Sequence, residues 1–64
     1  MLDIVVNNKR YQYIQCVKID NTSYIALTDG KTITISEYKM IDDKIQLLPI
    51  DDKTFEIVRK EMNL

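Results

Sequence analysis

Sixty-four residues, 45% hydrophobic and 30% charged, suit one small folded domain (residues 1–64), near the size limit for a core without cross-links. Lys+Arg 9 nearly cancels Asp+Glu 10, and a net charge of −1 supplies no long-range field toward nucleic acid or an anionic membrane. The same balance argues against an acidic mimic of DNA. The lone Cys16 cannot close an internal disulfide and reads as a small apolar filler on a strand. With no apolar leader and no run of membrane-spanning length, the expected location is the cytoplasm.

Taken in order, Leu2 to Val6 is a short apolar, β-branched run ended by Asn7-Asn8. Asparagine tolerates left-handed backbone, so the pair predicts a tight hairpin turn. Arg10 to Ile19 reads as the longest strand, but its faces do not separate. Strict alternation puts Tyr11, Tyr13, Val17 and Ile19 on one side and Ile14 and Cys16 on the other, with Gln15 interrupting. Either both faces are partly covered or a bulge near Ile14-Gln15 shifts the register, and the bulge is the preferred reading.

Asp20-Asn21-Thr22 predicts a second turn and Ser23 to Thr28 a third strand. A three-residue loop, Thr28-Asp29-Gly30 with Gly30 left-handed, would set Ile25 opposite Ile33. Ile25, Leu27, Ile33 and Ile35 would then form one apolar platform, and Tyr24, Ala26, Thr32, Thr34 and Ser36 the opposite, polar face. A strand from Thr32 is expected to run out near Tyr38 or Lys39, with Asp42-Asp43 turning the chain into Ile45 to Leu48.

Pro49 ends that strand, because it has no amide hydrogen for a ladder. Asp51 is the expected N-cap of a closing helix, and Asp52 places negative charge where the helix dipole is positive. Ile50 and Phe55 have the spacing of a hydrophobic staple, and Phe55, Val58 and Met62 make one stripe. Lys53, Glu56, Arg59 and Lys60 would face water, with Glu56 and Lys60 as an i,i+4 pair. Ile57 falls off the stripe, either packed at its margin or exposed for a partner. The fold class is α+β: an antiparallel β-meander of four to five strands with one C-terminal helix packed on one face.

Tyr24-Ile25-Ala26-Leu27, then Leu48-Pro49-Ile50-Asp51-Asp52, then Phe55-Glu56-Ile57-Val58 form a pattern that extends over roughly Arg10 to Met62. It resembles a bacterial family catalogued as domain of unknown function 1292. The resemblance implies a sheet-plus-helix fold and carries no activity and no catalytic residues. The chain departs from the family in being near neutral rather than acidic. It also has Met62 where the helix stripe often ends in Phe, and Asn7-Asn8-Lys9 in place of an acidic, glycine-containing first hairpin.

Histidine is absent and Gly30 is the only glycine, which leaves neither the usual general base nor a phosphate-cradling loop. Asp42-Asp43 and Asp51-Asp52 read as turn and cap residues rather than as an acid–base pair or a cation site. An enzyme is not expected, and no cofactor or metal is implied. The expected function is a protein-interaction or regulatory module, such as a small inhibitor or accessory subunit, acting through the open sheet face or an edge strand. Tyr24, Tyr38 and Ile57 are its candidate contacts, and an edge strand would also permit a homodimer. The alternative is single-stranded nucleic-acid binding by tyrosines and lysines of the sheet, which the overall charge argues against.

Overall fold

The computed structural model describes residues 3–64; Leu2, expected to begin the first strand, lies outside them. Five strands, β1 (Asp3–Val6), β2 (Lys9–Ile19), β3 (Thr22–Thr28), β4 (Ile33–Ile41) and β5 (Lys44–Leu48), precede one helix, α1 (Asp52–Met62). They pair antiparallel in the order β1-β2-β3-β4-β5, the expected meander.

Three of the turns are two-residue hairpins of one kind. Val6 pairs Lys9, Ile19 pairs Thr22 and Ile41 pairs Lys44. The turn residues Asn7-Asn8, Asp20-Asn21 and Asp42-Asp43 all have positive φ, between 49° and 67°. Two consecutive left-handed residues match the twist of the flanking strands, and Asn and Asp enter that region at lower cost than most side chains. β4 runs to Ile41, past the expected end at Tyr38 or Lys39, because this last hairpin continues the ladder through Lys39, Met40 and Ile41.

The bulge also forms where it was expected. Tyr13 pairs Leu27 and Gln15 pairs Ala26, so Ile14 is the extra residue. The mixed pattern of β2 then resolves. Tyr11, Tyr13 and Cys16 fall on one face, while Ile14, Val17 and Ile19 join the cluster beneath the helix.

The β3–β4 register differs from the expected one. Thr28 pairs Ile33 and Ala26 pairs Ile35, so the loop is Asp29 to Thr32, one residue longer. One Asp29 carboxylate oxygen accepts from the amides of Lys31 (2.9 Å) and Thr32 (3.0 Å). The Thr28 hydroxyl accepts from the Gly30 amide and donates to the Thr32 carbonyl. Gly30 is left-handed, with φ 97°. The proposed platform therefore splits across the sheet. Ile35, with Ala26, Val58 and Met62, forms the core under α1, whereas Ile25 and Leu27 lie on the opposite side. Ile33 ends up 48% exposed.

That opposite side is not bare. Ile25 and Leu27 are 3% and 1% exposed, and Val6 and Ser36 are buried too. The sheet coils until β1 contacts β5, so its helix-free face closes on itself as a second small core. With apolar residues welcome on both faces, hydrophobic pattern alone could not select the register.

α1 is capped as its sequence suggests. Asp51 accepts from the Thr54 amide at 2.8 Å, and Ile50 and Phe55 both pack against the core. At the other end Asn63 is left-handed, and the amides of Asn63 and Leu64 bond the carbonyls of Lys60 and Arg59, a Schellman closure. Glu56 takes Arg59 rather than Lys60 as its ion partner, at 2.8 Å, because the guanidinium offers two donors to one carboxylate oxygen. Phe55 is only half-buried; Val58 is the residue fully enclosed by the sheet.

Candidate functional site

The three residues singled out from sequence do not come together. Tyr24 pairs Glu37 and Val17 and packs against the core beneath α1, so it lies on the helix side, not on the polar open face where alternation had placed it. The one-residue change in the β3–β4 loop is not the cause. With helix-side Ala26 two residues on, Tyr24 had to follow whichever face the helix covered. Ile57 is 52% exposed on the outside of α1, resolving its two readings in favour of exposure. Tyr38 is half-buried on the helix-free face, where it borders a notch with Ser23 and Met40.

Near Tyr38 lies a small polar cluster. The Tyr13 hydroxyl donates to Cys16 Sγ at 3.4 Å, across the bulge. That bond holds the Tyr13 phenol above its ordinary pKa, while burial, with the neighbouring Cys16, does the same for Tyr38. Both phenols thus stay protonated over the neutral range and act as hydrogen-bond donors or acceptors, not as bases. The carboxylates are otherwise engaged. Asp51 is lowered by its bond to Thr54 and Asp29 by the amides of Thr32 and Lys31, as caps and loop closures require. Among the described residues no three His, Cys, Asp or Glu side chains group as a metal site would need.

A different surface is better formed. β1 and β5, the two edges of the sheet, meet along an open groove of about 700 Å³. Ile4, Val5, Val6, Met40 and Ile45 supply its apolar lining, with Asp3, Asp43 and Lys44 among its polar residues. Val5 and Met40 are 61% and 59% exposed, the largest values among the exposed large hydrophobics. Each edge also leaves a row of main-chain donors and acceptors outside the sheet ladder. Sequence reasoning missed Val5 and Met40. Their only signal is an apolar residue on each side of a strand, Ile4-Val5-Val6 and Met40-Ile41, where one-sided burial would demand alternation.

Comparison with protein-family models, curated proteins and solved structures finds no match to this chain. Among the described residues no helix is long and apolar enough to cross a membrane.

Proposed function

We propose that this protein is a non-enzymatic interaction module that engages a protein partner at the seam between β1 and β5. One observation carries the reading: Val5 and Met40, each more than half exposed, line a single groove bounded by two strand edges. Exposed apolar residues beside unpaired main chain suit an extended segment or an edge strand, the main chain giving affinity and the pockets giving selectivity. Ile57 and Tyr38 stand outside the seam and would contact only a partner that wraps further round. A small inhibitor or accessory subunit acting in the cytoplasm fits this arrangement. The kinship with the domain of unknown function 1292 family belongs to the same proposal, resting on the β3 segment Tyr24–Leu27 and the capped helix start.

The test is capture by the tagged protein, comparing the wild type with a Val5→Ser, Met40→Ser double variant. The expected result is a stoichiometric partner lost in the variant, whose thermal midpoint stays close to wild type because both side chains are exposed. A second copy of the chain as the partner would appear as a concentration-dependent mass in sedimentation. Capture unaffected by the double substitution would overturn the seam as the contact surface.

A further inference from the structure

Beyond the seam, the structure sorts charge in a way the net value of −1 conceals. The strands carry two acidic residues among the described positions, Asp3 and Glu37. Asp3 pairs Gln12 and Glu37 pairs Tyr24, so both belong to the helix side of the sheet. On the helix-free side, β2 instead presents Lys9, Tyr11, Tyr13, Cys16 and Lys18 in a single row. That row is about 30 Å long at the usual strand rise. Tyr38 adds a third ring on the same side, and Ser23, opposite Lys18, a hydroxyl.

The row is built as a cation–aromatic surface. Lys9 Nζ sits 5.3 Å from the centre of the Tyr11 ring, and its other neighbour is Asp29 at a loose 3.8 Å. Lys18 is exposed and forms no ion pair among the described residues. Of the acids near this side, Asp20 and Asp42-Asp43 lie in turns at the ends of the strands. Asp29 sits beside Lys9 and Tyr11 at one end of the row and leaves Lys18 as the row's unpaired cation among the described residues.

We propose that the helix-free face, along β2 from Lys9 to Lys18 and across to Tyr38, binds a single-stranded nucleic acid. Lysines at the two ends of the row meet phosphates, and the half-buried phenol rings between them offer their accessible edges, π-faces and hydroxyls to unstacked bases. Carboxylates of an acidic peptide would satisfy the lysines but leave the rings without a stacking partner, and a duplex would hide its bases from them. With only two cations in the row, binding is weak, micromolar or looser, and selective for flexible single strands. The row borders the seam through Ile4, Val6 and Met40 but shares none of its lining residues, so substitutions confined to one surface let either reading fail without the other.

Fluorescence anisotropy of a labelled single-stranded oligonucleotide at low salt tests it. The expected result is a saturable rise with a log–log salt slope of roughly −1.4, two phosphate contacts at about 0.7 each. Lys18→Glu, a surface change that spares the fold, weakens binding about fivefold or more. Tyr13→Leu keeps apolar bulk and is expected to weaken it by a similar factor through lost stacking. The Val5→Ser seam variant binds as wild type. No saturable rise at millimolar protein would overturn the proposal, as would indifference to both Lys18→Glu and Tyr13→Leu. Equal competition by polyglutamate would overturn it in favour of a generic polyanion surface.

Discussion

Gln15 and Met62, 47 residues apart in the chain, are joined by a 2.9 Å hydrogen bond from the Gln15 side-chain amide to the Met62 carbonyl. The bond depends on the bulge. With Ile14 as the extra residue, Gln15 aligns with Ala26 under the helix instead of pointing away from it. A polar residue that looked like a fault in an apolar strand thereby satisfies a carbonyl of the last helical turn, which has no partner within the helix. Gln15→Ala should cost about 1 kcal/mol in chemical denaturation. Gln15→Glu should cost more, since a carboxylate cannot donate to the carbonyl and meets the negative end of the helix dipole.

The two cores make different predictions from a single one. Leu27, on the helix-free side, is among the most enclosed large side chains, so Leu27→Ala should destabilise by about 2–5 kcal/mol. Phe55→Ala, which a helix lid on a flat sheet would make the worst substitution, should cost only about 1–2 kcal/mol because the ring is half-buried. Urea midpoints that rank Phe55 above Leu27 would mean that the helix-free core contributes little.

The paired left-handed turns carry a local cost that glycine relieves. Asn21 has φ 67° and sits at the second turn position, where glycine is the favoured residue. Asn21→Gly should stabilise by on the order of 1 kcal/mol, against loss of stability for Asn21→Val, which is branched at Cβ. Thermal melts of the two variants should move in opposite directions.

Acid should loosen the molecule at its caps. Asp51, held low by Thr54, Asp29, held low by the Thr32 and Lys31 amides, and Glu56, held low by Arg59, all bind protons less readily when folded. The unfolded chain therefore takes up protons first, and the stability these groups lend is present above their unfolded values, about 4. It is lost as pH falls through the lower folded values. Since all three are solvent-exposed, high salt should flatten the loss. Denaturation midpoints between about pH 6 and pH 2, with Asp51→Asn as the comparison, check the sign.

The alkaline side runs the other way. Tyr13 and Tyr38 hold their protons more tightly when folded, Tyr13 through Cys16 and Tyr38 through burial. Their contribution is complete below the unfolded phenol value, about 10, and disappears as pH rises through the folded one. Ultraviolet titration should show two phenols ionising late, and Cys16→Ala should bring Tyr13 back toward the ordinary value.

Much of the architecture was legible because it is written locally. Asn7-Asn8, Asp20-Asn21 and Asp42-Asp43 set the hairpins through backbone preference, Pro49 and Asp51 set the strand end and helix start, and Ile14-Gln15 betrayed the bulge by breaking alternation. These signals need no knowledge of what packs where. The β3–β4 register, the side on which Tyr24 lies and the meeting of β1 with β5 were decided only in three dimensions. Each depends on which faces are covered, and a coiled sheet covers both, one with α1 and one with itself. The same coiling gathers Val5 and Met40 into one groove and leaves lysines and tyrosines on a face without strand acids. Local sequence chose the elements; burial on two sides chose their register and, with it, the surfaces.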